Sequence, residues 1–176
     1  MMQNLFVREL RQNDGVSSLS LGDSAYLPLK SFLKKDALDF HLRNIAKTYV
    51  LIDQNSHPRI WGYISLMCSE LSLDEQLRAV ISKRAKHYSV FPAIKLARLA
   101  IDKSLQGRGF GQLLVNTVIA ITKDHVMPNV GCRFLTVDAK PEAVSFYKKL
   151  GFVLLDIEEN TKSHHPLMLL DMDKFY

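Results

Sequence analysis

Residues 96–121, LARLAIDKSLQGRGFGQLLVNTVIAI, limit what this chain can fold into more than any other stretch. An apolar run that reads as a strand stops at Asp102. Three glycines then fall within five residues, Gly107-Arg108-Gly109-Phe110-Gly111, and an apolar helical pattern follows at once. Glycine permits positive φ and leaves no Cβ to block an incoming group. Successive amides in such a turn can face outward as a nest. The first amides of the helix behind it lack carbonyl partners and lie at its positive end. Strand, bare loop and helix start together suit a phosphate, and Arg108 adds a planar fork of donors for phosphate oxygens.

Two familiar phosphate patterns do not fit. A P-loop needs a Lys-Ser/Thr pair after its last glycine, and none is present. The dinucleotide fingerprint spaces its glycines G-x-G-x-x-G near the start of a parallel unit. Here the spacing is G-x-G-x-G and four predicted elements precede it. On the residues alone, a tight turn without a ligand remains the competing reading.

The rest of the chain alternates short elements. Leu5–Leu10 reads as a first strand. Residues 24–47 carry apolar positions at helical spacing, with Pro28 either in an early turn or between two helices. Thr48–Asp53 and Arg59–Cys68 read as a hairpin around the turn-rich QNSHP. Residues 70–90 have helical spacing and a charged face, which fits a helix or an ordered loop. Ala93–Asp102 reads as a strand, Gly109–His125 as a helix, Cys132–Ala139 as a strand. Pro141–Leu150 reads as a helix with proline at its first position and Gly151 as its stop. Phe152–Ile157 and Leu167–Met172 close the pattern as strands. The order implies an α/β (α+β) fold around a mixed, mostly antiparallel central sheet of about seven strands flanked by helices.

The 176 residues suffice for a single domain over 1–176, and 47% hydrophobic with 23% charged residues is ordinary for a globular chain. No run approaches the ~20 apolar residues of a spanning helix. MMQNLFVREL lacks the pattern of a signal peptide, so a cytoplasmic location is expected, with no membrane partner. Cys68 and Cys132 lie in predicted strands and read as reduced, buried thiols. The net charge of +5 is uneven. Seven cations from Lys83 to Arg108 face Asp102 alone, which favours a polyanionic ligand, either a phosphorylated cofactor or nucleic acid. His164-His165 has no companion ligands at metal spacing, so no metal is expected. Trp61 reads as a core residue.

Gln106-Gly107-Arg108-Gly109-Phe110-Gly111 resembles the Q/R-x-x-G-x-G/A loop of the GNAT superfamily of N-acetyltransferases. LARLAID before it and FLTVDAKPEAVSFYKKLGF after it are similar to that superfamily too, over roughly residues 48–155. The resemblance implies an enzyme that moves an acetyl group from acetyl-CoA to a primary amine by direct attack. The loop residues Gln106, Gly107, Arg108, Gly109, Phe110 and Gly111 would bind the cofactor's pyrophosphate. Backbone groups of Leu99, Ala100 and Ile101 would hold its pantetheine arm and the oxyanion. Tyr147 would be the general acid for the departing thiolate. Many relatives carry a glutamate on the strand before the loop, whereas AIKLARLAI has none. Asp102 or Glu70 acting through water, or an amine that arrives neutral, are the alternatives.

Lys47-Thr48-Tyr49-Val50, IWGYISL and the proline-led IKLARLAID also resemble the acetyltransferase toxins of bacterial toxin–antitoxin pairs. That resemblance implies the α-amine of aminoacyl-tRNA as acceptor and a small antitoxin protein as partner. The cations Lys83 to Lys86, Lys95 and Arg98 would meet tRNA phosphates. A homodimer is a further expectation from the superfamily. A non-catalytic module that holds acyl-CoA is the remaining alternative.

Overall fold

The computed structural model describes residues 5–54, 58–73, 84, 87–155 and 158–175. The strands are β1 (Phe6–Glu9), β2 (Lys47–Ile52), β3 (Ile60–Ser72), β4 (Val90–Ile101), β5 (Phe134–Asp138), β6 (Val153–Leu154) and β7 (Leu167–Asp171). They form one seven-stranded sheet in the order β1-β2-β3-β4-β5-β7-β6. The pairs β1–β2, β2–β3, β5–β7 and β6–β7 are antiparallel, and β4–β5 is parallel. The α/β fold with a mixed, mostly antiparallel sheet of seven strands is therefore present as expected. The helices are α1 (Leu27–Lys35), α2 (Ala37–Leu42), α3 (Phe110–Ile121), α4 (Val144–Lys149) and α5 (Glu158–Thr161).

By its internal contacts the chain divides into two compact units. One comprises residues 1–67 with 96–118, the other 68–95 with 119–176. In the first, α1 starts as its sequence demands. Asp23 caps a 3-10 turn by accepting from the amide of Ala25, and Pro28 occupies the first turn of the helix. Phe32 and Leu33 point inward, where they join Leu19, Val50, Ile52, Ile60, Tyr63 and Ala100 in the core. The phenol of Tyr63 donates to the carbonyl of Leu29 at 2.8 Å, which ties β3 to α1. The residues read as helical over 24–47 thus form a 3-10 turn and two short helices.

In the second unit, Leu71, Phe91, Ala93, Phe134 and Leu155 form a separate core cluster. Gly151 ends α4 with φ +89, the left-handed stop expected there. Beyond α3 the chain makes a π-helical turn over Thr122–Val126. Helix α5 was not foreseen. Its Asn160 is buried, donates to the carbonyls of Leu155 and Leu167, and accepts from the amide of Leu167. One amide side chain thereby closes the loop between β6 and β7.

Several expectations are corrected. Residues 70–72 are strand, because β3 runs on to Ser72 as a 13-residue element. The remainder of the uncertain stretch, 74–83 with 85 and 86, lies outside the described residues, as do 156 and 157 of the last-but-one predicted strand. Cys68 is exposed, since the end of β3 past Leu66 has uncovered positions. Cys132 is buried but precedes β5. Trp61 is half-buried and not a core residue. Its indole N–H donates to Asp53 at 3.2 Å and the Arg59 guanidinium lies 3.9 Å over its ring. Among the described residues, no helix is long and apolar enough to cross a membrane.

Candidate active site

The end of β4 is held by one carboxylate. Asp102 is buried and accepts from the amide of Ser20 at 2.9 Å, the amide and hydroxyl of Ser104 at 3.1 and 2.7 Å, and Arg59 at 3.1 Å. Burial works to raise its pKa, but these donors outweigh it and hold the carboxyl below the ordinary range. A carboxylate so fully engaged is a poor base. The alternative that gave Asp102 a proton-relay role is corrected to a structural one: it caps the 3-10 turn Lys103–Leu105 and aims the chain into the loop. Glu70, the other candidate, is exposed on β3.

The loop follows directly. The side chain of Gln106 folds back and donates to the carbonyl of Ile101 at 3.0 Å. Gly107 has φ +73 and Gly109 φ +85, a conformation that L side chains rarely adopt. A Cβ built on either would meet nothing within 4 Å. The glycines are therefore demanded by backbone conformation, while the space beside them stays open. Arg108 is exposed, and Leu105 anchors the turn beneath. Helix α3 begins at Phe110, so the amides of its first turn, Gly111 included, have no carbonyl one turn back. Leu114, Val115 and Val118 fix the helix by burial.

On β4, Ala100 is buried and its neighbours Leu99 and Ile101 are half-buried, which leaves their function to the main chain. The parallel register with β5 covers Ala93 to Lys95 only, although β4 runs on to Ile101. Two of the cations expected to face nucleic acid are engaged. Lys95 pairs with Asp138, and the Arg98 guanidinium lies 3.8 Å over the ring of Phe32. Arg84 is exposed, and Lys83 and Lys86 lie outside the described residues.

Tyr147 belongs to the other unit. It sits on α4, 5% exposed, between the rings of Phe146 and Phe152 at 5.0 and 5.4 Å. Burial pushes its phenol well above the usual value, and no charged group offsets it. The hydroxyl makes no hydrogen bond among the described residues. The buried side-chain atoms without a hydrogen-bond partner are Nε of Arg59 and Nε of Arg133 among the described residues, so the ring of Tyr147 is packed while its oxygen reaches solvent. His164 and His165 are exposed, and no cluster of three or more His, Cys, Asp or Glu suited to a metal occurs among the described residues.

The family model for the acetyltransferase (GNAT) domain matches residues 26–174. The chain belongs to the GNAT acetyltransferase family. Among curated proteins, this acetyltransferase is 29% identical over 165 residues to a tRNA-acetylating toxin of Mycobacterium tuberculosis, covering 93% of this chain and 92% of that protein. Among solved structures, it matches AtaT complexed with acetyl-methionyl-tRNAfMet with a TM-score of 0.80 at 27% identity, covering 98% of this chain and 97% of that one. It also matches a tyrosine-to-phenylalanine mutant of the toxin AtaT bound to the C-terminus of the antitoxin AtaR and acetyl-CoA. That TM-score is 0.76 at 25% identity, with 97% and 94% covered.

The sequence singled out the glycine loop as a candidate but missed Asp102 as what supports it. Asp102 with Ser104 two residues on is the spacing of a carboxylate that caps a turn, and that signal was available. The donors from Ser20 and Arg59 come from far along the chain and have no local signature.

Proposed function

We propose that this chain is an acetyl-CoA-dependent N-acetyltransferase of the toxin type, which acetylates the α-amine of aminoacyl-tRNA. The observation that carries the reading is the likeness, over nearly the whole chain, to AtaT in complex with acetyl-methionyl-tRNAfMet. Residues 1–176 act as one catalytic domain, since a single family model runs through residues of both units. The work is done in the cytoplasm, where charged tRNA is found. A small antitoxin protein is its partner, by analogy with the AtaT–AtaR complex.

In this reading the amides and open glycines of Gln106–Gly111, with Arg108, take the cofactor's diphosphate. The main chain of Leu99–Ile101 holds the pantetheine arm and donates to the oxyanion. The neutral amine attacks the thioester carbonyl, the C–N bond forms, and the C–S bond breaks. The leaving thiolate takes its proton from Tyr147, and the proton lost from nitrogen passes to solvent, from which the phenolate of Tyr147 is reprotonated. Tyr147 has a raised pKa, but a thiolate formed in the same apolar surroundings is also more basic than in water, so the two stay matched. No base is required to make the nucleophile. An α-amine with a pKa of ~7.7–8.0 is neutral about a tenth of the time at pH 7, whereas a lysine at ~10.4 is almost never so.

The test is incubation with labelled acetyl-CoA and a panel of charged tRNAs, uncharged tRNA and free amines. Label is expected in the aminoacyl ester of charged tRNA, with stoichiometric release of thiol. Acetylation of free amines with charged tRNA untouched overturns the substrate assignment. Tight cofactor binding with no transfer to any amine overturns catalysis itself.

A further inference from the structure

The stretch Arg59-Ile60-Trp61-Gly62 leads into β3, the neighbour of β4 in the sheet, and three of its residues meet the end of β4. The Arg59 guanidinium donates to the carboxylate of Asp102 at 3.1 Å. The carbonyl of Trp61 accepts from the amide of Asp102 at 2.7 Å. Gly62 is buried, and a Cβ built there would lie 2.7 Å from Cδ1 of Ile101 and 2.9 Å from the carbonyl oxygen of Ala100. Side chains do not tolerate such distances, so the strands can sit this close only because residue 62 has none.

The two contacts at Gly62 differ in kind. Cδ1 of Ile101 is the tip of a side chain and can turn away. The carbonyl of Ala100 is main chain and moves only with the strand. Ala100 is also the middle residue of Leu99–Ile101, the segment given above to the pantetheine arm and the oxyanion. Arg59 acts one step further along the chain, at Asp102. Its guanidinium lies 3.9 Å over the ring of Trp61, whose indole N–H is held by Asp53 at 3.2 Å. Stacking fixes the plane of the fork before it reaches the carboxylate. Nε of Arg59 is buried without a hydrogen-bond partner, so the stack and the bond to Asp102 are kept at the cost of a donor.

We propose that Gly62 and Arg59 are positioning residues for acetyl transfer, each acting through a different part of the end of β4. Gly62 sets where the main chain of Leu99–Ile101 lies, and with it the alignment of the thioester. Arg59 sets Asp102, and with it the turn that leads into the glycine loop. Neither touches a substrate. The inference rests on the reading of Leu99–Ile101 as the segment that holds the thioester. Magnitudes separate the two roles. An error of ~1 Å in reacting geometry costs about 10² in rate, whereas binding is spread over the whole cofactor and tolerates it. The displacement that a Cβ at residue 62 demands is therefore read in kcat before it is read in affinity. Loss of Arg59 leaves Asp102 with its Ser20 and Ser104 donors. The loop is then loosened, not lost, and the effect is read in affinity.

Variants of the full chain test this by calorimetry with acetyl-CoA and by initial rates with whichever amine the wild-type protein acetylates. Gly62→Ala is expected to lower kcat about tenfold or more, with little change in acetyl-CoA affinity. Ile101→Val removes Cδ1 and spares the carbonyl of Ala100. Adding Gly62→Ala to it is expected to lower kcat by a similar factor relative to Ile101→Val alone. Arg59→Met is expected to weaken acetyl-CoA binding by up to about tenfold, the order for one charge-assisted hydrogen bond, with a smaller effect on kcat. Arg59→Lys keeps a charge beside Asp102 and is expected to recover part of that affinity.

Wild-type kcat in Gly62→Ala, or a loss that vanishes on the Ile101→Val background, means that side-chain packing absorbed the Cβ and overturns the role of Gly62. A lowered melting temperature for Arg59→Met with wild-type acetyl-CoA affinity overturns the role of Arg59. Where Gly62→Ala does not fold, the Arg59 variants decide, because that side chain is partly exposed. Failure of the underlying reading looks different, because the wild-type protein then acetylates no amine at all.

Discussion

Asp102 and Tyr147 are both buried polar side chains, and burial has opposite consequences for them. Asp102 collects four donors, and its carboxyl is held below the ordinary range despite the desolvation that opposes it. Tyr147 collects none among the described residues, and desolvation alone drives its phenol upward. A buried group that is satisfied becomes scaffold, since moving it or its proton breaks several bonds at once. A phenol whose ring is packed but whose oxygen reaches solvent keeps its chemistry available. The glycine loop adds a third condition, a backbone whose amides are exposed because its neighbours are fixed by Asp102.

The contrast is broken most severely at the loop. Gly109→Glu is expected to abolish acetyl-CoA binding, a loss beyond a thousandfold by calorimetry. The residue at φ +85 costs ~1–2 kcal/mol for any side chain. The larger part is a carboxylate placed in the open space proposed for the diphosphate, where like charges repel and the side chain occupies the seat. Gly109→Ala separates the two: it keeps the strain, adds no charge, and retains measurable binding.

Tyr147→Phe comes next. Removal of a positioned acid lowers turnover by about 10²–10⁴, with acetyl-CoA affinity unchanged. Because the hydroxyl has no protein partner to leave behind, the variant is expected to melt at or above the wild-type temperature. Unchanged turnover removes Tyr147 from the mechanism, and a lowered melting point shows that its oxygen was paired after all.

How far these features could be read in the sequence follows from how local their causes are. The loop, the start of α3 and the Gly151 stop are specified by residues next to one another, glycines above all, and stand where they were expected, whereas Pro141 opens a 3-10 turn, Pro141–Ala143, and the α-helix starts only at Val144. Residues 70–72 were misread because ELSLDEQL carries helical spacing, while β3 runs on to Ser72. Trp61 was misread because an indole is apolar by type, whereas here its N–H reaches Asp53 just past the paired strand β2 and its ring lies under Arg59, which keeps it half-buried at the start of β3. The role proposed for Tyr147 rests on the resemblance, since its position beside Phe146 alone suggests packing. The saturation of Asp102 was not legible, because two of its four donors come from Ser20 and Arg59.

Asp102 sharpens the scaffold side of the contrast. Asp102→Ala leaves the amides of Ser20 and Ser104 and the Arg59 guanidinium without their acceptor. Breaking such a buried pair costs about 3 kcal/mol, measurable by chemical denaturation. Acetyl-CoA affinity is expected to fall with it by a smaller factor, as the loop loses its footing at the end of β4.

The smallest effect is also the most specific to charge. The folded-state pKa of Asp102 lies below that of the unfolded chain, which is ~3.9 for an aspartate. The stabilisation it contributes is therefore complete above that pH. It is lost as the pH falls through the lower, folded value. Asp102→Asn removes the charge and keeps the shape, so its melting temperature is expected to lie below wild type by a constant interval from pH 5 to 8. The interval then narrows as the pH drops under about 4, when the wild-type carboxyl takes up its proton and comes to resemble the amide. Tyr147→Phe has no such dependence over the same range, because its phenol is protonated throughout. An interval for Asp102→Asn that stays constant down to pH 2 means that hydrogen-bond geometry, not charge, is what Asp102 supplies to the turn.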